Sequence, residues 1–244
     1  MTFPESFAPA LTHRRRTLLI AVAAIVLALI AWNLPALDFA MYPLRLFVTF
    51  VHESGHGLAA LITGGQFHNL SVMADGSGVA TTAGGARALI LSAGYLGAAL
   101  FGAGLFIAAN RIRRVRRVSA GLAVLLVLLT LLYTPFLSTG FLVGLGFAAA
   151  LAALAWKGGE DLNRLILMVL AVLVGLNAVL DLTTLVNYSG ASLGSVRNDA
   201  AAFSAEVLPL IPGALWALCW AGLAIALLAG AAWVVFVRPL RKRQ

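Results

Sequence analysis

Runs of about 20 apolar residues recur along the chain, and each is long enough to cross roughly 30 Å of hydrocarbon. That pattern restricts the architecture severely. A backbone in lipid must satisfy its polar groups internally, so spans of this length and continuity are helices. The first predicted span covers 17–37, "TLLIAVAAIVLALIAWNLPAL". A cleaved signal peptide is the competing reading, but no small-residue cleavage site follows the apolar core. Further spans are expected at 41–62, 88–110, two within 118–156, 164–186 and 208–237. The expected fold is an all-α polytopic membrane protein with about seven transmembrane helices. It forms a single membrane-embedded domain over 1–244, multi-pass and integral to the bilayer.

Charge supports that reading. Only 11% of the 244 residues are charged, against roughly 25% in a soluble domain. The net charge of +8 comes from "HRRR", "RIRRVRR" and "RPLRKRQ", all at span ends, where cations meet lipid headgroups. No aromatic or loop-rich surface accompanies them, so no nucleic-acid partner is expected. The single cysteine, Cys219, rules out an intrachain disulfide. "GYLGAALFGAGL" and "GFLVGLG" place small residues at helical spacing, as close helix–helix contacts require.

One span is interrupted. In "RLFVTFVHESGHGLAALITGG", residues 45–65, His52, Glu53 and His56 fall where lipid is expected. The i, i+4 spacing puts both imidazoles on one helix face. This is the H-E-x-x-H pattern: two zinc ligands, and a glutamate placed to act as general base on a zinc-held water. With four His and four Glu in the chain, a chance match is expected on the order of once per thousand such chains. A purely structural polar cluster would have to bear a cost of about 2.5–3.5 kcal/mol per central charge, which a metal offsets. A metal-binding scaffold or a transporter without peptidase activity is the other class that buried His and Asp allow.

Zinc needs a third protein ligand and an open position. Asp181 is the one acid inside an apolar span, in "LILMVLAVLVGLNAVLDLTTLV". Met41 to His56 is about 22 Å of helix and Arg164 to Asp181 about 26 Å, so the three groups are predicted at similar depth. Asp181 is therefore the expected third ligand. Asn177, one turn earlier, is a candidate to orient Asp181 or hold a substrate carbonyl, with a plain interhelical hydrogen bond as the alternative. Asp199, in the polar loop "SVRNDAAAF", is expected as an outer partner of the histidines. After the motif, "FHNLSVM" and "GVATT" flank "ADGSG" and read as a β-hairpin. It contains His68, a further candidate for substrate contact, and residues 67–82 offer an edge for β-addition of an extended substrate. A plain surface hairpin plugging the site is the alternative.

These features resemble the site-2 protease family of intramembrane zinc metalloproteases, in its compact bacterial H-E-x-G-H branch. The matching stretches are "FVHESGHGLAALITGG", the hairpin and "LNAVLDL", within 41–110 and 164–205. The resemblance implies a zinc metalloendopeptidase of the bacterial cell membrane that cleaves membrane-anchored substrates, transmembrane helices above all. It implies Zn2+ on His52, His56 and Asp181, with Glu53 as base. Leu180-Asp181 is followed by Leu182 where the family has glycine, and no proline precedes it. The family also places zinc and hairpin on the cytoplasmic side. With seven spans that puts five Lys and Arg on the hairpin side and twelve on the other, against the rule that cytoplasmic loops carry the excess.

Overall fold

The computed structural model describes the backbone of residues 8–188 and 198–238, and the side chains of 15–31, 33–180 and 198–238. Eight helices and one hairpin follow the apolar runs: α1 (Ala8–Asn33), α2 (Asp38–Ile62), β1 (Gln66–Val72), β2 (Gly78–Ala83), α3 (Arg87–Arg111), α4 (Arg116–Tyr133), α5 (Thr139–Lys157), α6 (Glu160–Tyr188), α7 (Asp199–Glu206) and α8 (Gly213–Ala232). Prolines and glycines punctuate them. Pro35 follows α1, Pro135 follows α4, Gly158 caps α5 and Pro212 opens α8, each where a helix cannot continue or is free to begin.

Five helices, α3, α4, α5, α6 and α8, are long and apolar enough to cross a membrane alone. Among the described residues, α1 and α2 qualify only together, as a pair bent by 94°. The count among the described residues is thus five, or six with that pair, beside the expectation of about seven. Hydrogen bonds show how the helix ends are gathered. Arg16 pairs with Asp161, joining the starts of α1 and α6. The buried Arg164 donates to the carbonyls of Ala109, Asn110 and Ile112, capping the end of α3. Arg116 donates to Ala155 and Trp156, and Arg111 to Val234 at 2.6 Å. The starts of α1, α4 and α6 and the ends of α3, α5 and α8 therefore share one end of the bundle. At the other end α2 finishes where α3 begins, with the Ala86 N–H donating to Thr63 Oγ1 at 3.0 Å. Between them α1 and α2 cross once.

α3 is the central helix, packed against α2, α6 and α8. Gly102 of α3 meets the backbone of Ala171 and Gly175 on α6, so the small-residue stretch does provide close packing there. The hairpin is antiparallel, as expected, turning through Asp75 and Gly76, whose φ of +92° suits glycine. Ser77 donates to Asp75 through both its N–H and its hydroxyl, and these bonds hold the Asp75 carboxyl below its usual range. The hairpin lies along α2: Tyr42 and Thr49 donate to the carbonyls of Ala74 and Gly76, at 2.7 and 2.8 Å. Phe67 of β1 fills the space left by Gly57 and stacks on Tyr133, with centroids 4.1 Å apart.

Candidate metal centre

Helical spacing makes the first half of the site. His52 and His56 stand one turn apart on α2, with their Nε2 atoms 3.1 Å from each other. His56 Nδ1 lies 2.6 Å from the Ile90 carbonyl oxygen. A carbonyl only accepts, so Nδ1 carries a proton, and Nε2 is the ring atom turned toward the other residues of the site. A second bond of this kind is how ligating imidazoles are usually oriented. His52 packs edge-on against Tyr95, with centroids 4.6 Å apart.

Asp199 makes the other half. Its Oδ2 is 3.1 Å from His52 Nε2 and 3.2 Å from His56 Nε2. The three atoms form a nearly equilateral triangle. Donors on a tetrahedral zinc with bonds of about 2.0 Å stand about 3.3 Å apart, so the triangle has the size of one face of that tetrahedron. The donor chemistry agrees. A lone pair facing a carboxylate oxygen at this range repels it unless a cation or proton lies between. These three residues form a group able to hold a metal ion, and the described residues contain no second such group.

α7 carries Asp199 into place. The Asn198 side chain accepts from the Ala201 N–H at 2.8 Å and caps the helix. Asp199 then sits in the first turn, where the helix dipole favours a carboxylate. Phe203 packs against Trp216 and Trp220 of α8, with centroids 4.5 and 5.4 Å away. Ser204 donates to the Ile211 carbonyl at 2.7 Å, and Arg87 pairs with Glu206 at 2.6 Å. Burial alone would raise the Asp199 carboxyl, but the two imidazoles outweigh it and hold the group well below the usual carboxylate range.

Glu53 is buried beside the trio and interacts electrostatically with all three members. The hairpin closes over it. A Cβ at Gly78 of β2 would lie 2.7 Å from Glu53 Oε1, and the Ala80 backbone faces the same carboxylate. Gly94 of α3 closes another side, since a Cβ there would overlap the Nε2 atoms of both histidines. The small-residue stretch that begins at Gly94 is thus more than packing: its first residue borders the metal centre.

The other expected residues fall elsewhere. His68 is exposed, as the extra residue of a β-bulge between Phe67 and Asn69, and is not in the trio. Asn177 is half-buried on α6. Position 181 lies on α6, but the Asp181 side chain is outside the described residues. Asp199, expected only as an outer partner, is the carboxylate that meets both Nε2 atoms. Its helix did have a signal: Asn198-Asp199 before a run of alanines is a helix start inside a segment that otherwise reads as loop.

A family model described as Peptidase M50B-like matches residues 19–231. No curated protein and no solved structure matches the chain. The matched region holds His52, Glu53, His56 and Asp199 together with four of the five helices that qualify as spans by themselves and most of the fifth. The chain belongs to the Peptidase M50B-like family, related to the site-2 proteases, and is an integral membrane protein of metallopeptidase type.

Proposed function

We propose that the protein is a zinc-dependent intramembrane endopeptidase acting on membrane-anchored polypeptides. The observation that carries this reading is the triangle of His52, His56 and Asp199 with Glu53 buried beside it. His52 Nε2, His56 Nε2 and Asp199 Oδ2 would hold the ion. Zinc bound there supplies Lewis-acid polarisation of a water and of the scissile carbonyl. The Glu53 carboxylate, shielded beneath β2, takes a proton from the attacking water and delivers it to the leaving amine nitrogen. The Ile90 carbonyl fixes the His56 tautomer, and α7 supplies the last ligand. A helical peptide bond is shielded by its own hydrogen bonds, so a substrate must be extended before it is cut. β2 runs past Glu53 with Val79 and Thr81 exposed, a placement suited to pairing with an extended segment.

The test is purified protein in detergent, analysed for metal and for cleavage of a single-span peptide. About one zinc per chain and cleavage lost on Glu53→Gln are expected. Cleavage that survives Glu53→Gln would remove the base from this account. Zinc flux into proteoliposomes, abolished by His56→Ala and without any cleavage, would instead favour a transporter.

A further inference from the structure

We propose that α4 and α5 form a binding site for one anionic glycerophospholipid, with an acyl tail in the groove between the two helices and the headgroup phosphate on Arg117 and Lys157. The inference does not rest on the peptidase reading above.

α4 and α5 are antiparallel neighbours joined by the turn at 134–138. Near that turn they touch, and a Cβ at Gly144 would overlap Thr130 Oγ1. At the far end Arg116 bridges them, donating to the Ala155 carbonyl at 2.6 Å and to that of Trp156. Between these two contacts the facing side chains are small, and a groove of about 800 Å³ remains. Ala120, Val124 and Leu128 line it from α4, and Ala149 and Ala152 from α5, all five exposed. Both helices are long and apolar enough to span a membrane, so the groove opens onto lipid. From Arg116 to Leu128 is about 18 Å of helix. That is close to half of the roughly 30 Å of hydrocarbon, the depth that one acyl tail fills.

The mouth of the groove is cationic. Arg117 is exposed and shares the face of Ala120, Val124 and Leu128 through its i+3, i+7 and i+11 spacing. Lys157 faces it from the end of α5, with Nζ 5.4 Å from the centroid of the exposed Trp156 ring, which itself lines the groove. Neither cation has an ion-pair partner among the described residues. The acids nearest in the chain are engaged elsewhere. Glu160 accepts from the Arg116 backbone N–H at 3.3 Å, and Asp161 pairs with Arg16. Tryptophan settles at headgroup level, and long basic side chains lay their stems on apolar surface while the charge reaches phosphate. An anion joined to a hydrocarbon tail therefore complements the site at both ends. A second copy of the chain does not. Two copies in one bilayer share their orientation, so their basic ends would meet at one level and repel.

Native mass spectrometry of the full chain in detergent tests the site, with dioleoyl phosphatidylglycerol or dioleoyl phosphatidylcholine added. One phosphatidylglycerol per chain should be retained in preference to phosphatidylcholine. Arg117→Gln with Lys157→Gln should weaken its binding about 25-fold, at about fivefold per cation. Arg117→Lys with Lys157→Arg should preserve it. Arg15→Gln with Arg238→Gln removes two exposed cations from the same end of the bundle, away from the groove, and should leave binding nearly unchanged. Ala152→Phe fills the groove under an intact rim and should weaken binding as well. Equal retention of the two lipids, or equal loss from the two charge-removing pairs, overturns the proposal by reducing the site to general surface charge. Full retention in the Ala152→Phe variant, or displacement of the lipid by glycerol 3-phosphate, overturns it by removing the tail. A protein dimer that Ala152→Phe dissociates would seat a second copy in the groove and overturn it too. None of these readouts uses zinc or cleavage.

Discussion

Gly94 of α3 faces His56 of α2 so closely that an added Cβ would sit 2.5 Å from the imidazole Nε2. The same Cβ would overlap His52 Nε2. Gly94→Ala should therefore expel the metal or displace its ligands. Zinc per chain should fall well below one by elemental analysis, with helical circular dichroism unchanged. Gly104→Ala, on the same helix with open space around it, is the matched control. Full zinc occupancy in the Gly94 variant would show that the helices part easily and that this glycine is not a determinant of the centre.

Glu53→Gln keeps the size and burial of the side chain but removes its basicity. Cleavage should fall by about 10²–10⁴-fold, the usual contribution of a positioned base. Zinc content should stay at the wild-type level, since Glu53 is not among the three donors. Single-turnover cleavage and metal analysis on one preparation separate the two effects.

Two aspartates compete for the third place on the metal, and geometry favours Asp199. Asp199→Asn should weaken zinc binding by more than the ~10- to 100-fold typical of losing an outer hydrogen-bond partner. Asp181→Asn should change it less. Competition against a chelator of known affinity gives both values. The opposite ranking would return the third ligand to α6, as the depth of that span first suggested.

Phe203 packs on Trp216 and Trp220, and that packing holds the helix that carries Asp199. Truncating a buried phenylalanine costs about 3–5 kcal/mol, felt here as undocking of α7. Phe203→Ala should lower zinc affinity by about 100-fold or more, at about 1.4 kcal/mol per tenfold. Arg87→Ala removes a partly exposed ion pair with Glu206. Such pairs contribute about 0–1 kcal/mol, so its effect should stay below about fivefold. Equal effects from both variants would mean that the aromatic cluster is not what docks α7.

Local signals are legible in the sequence and relations between distant segments are not. The spans, the hairpin and the i, i+4 histidines each follow from a pattern within 25 residues, and the structure holds helices and strands close to those bounds. The bend between α1 and α2 is not legible, because residues 41–62 are apolar enough to resemble a span of their own, and the 94° turn appears only in the structure. The position of Asp199 is hidden for a related reason. A carboxylate in a polar loop looks satisfied by water, and nothing local says that Trp216 and Trp220 will draw its helix back onto α2 and α3. Gly94 was legible as small but not as adjacent to two imidazoles, since that depends on how α2 and α3 cross.

Asp199 is separated from His52 by 147 positions, and its helix rests on tryptophans that come later still. During synthesis the two histidines enter the bilayer early, while the surface that seats α7 does not exist until α8 has been inserted. A chain halted at Pro212 should therefore take up far less zinc than the full chain, which metal analysis of the truncated protein would show. Maturation is then timed by the order of the polypeptide. On the proposed reading, a nascent chain lacks its third ligand in place until α8 has entered the bilayer, so the centre is completed last.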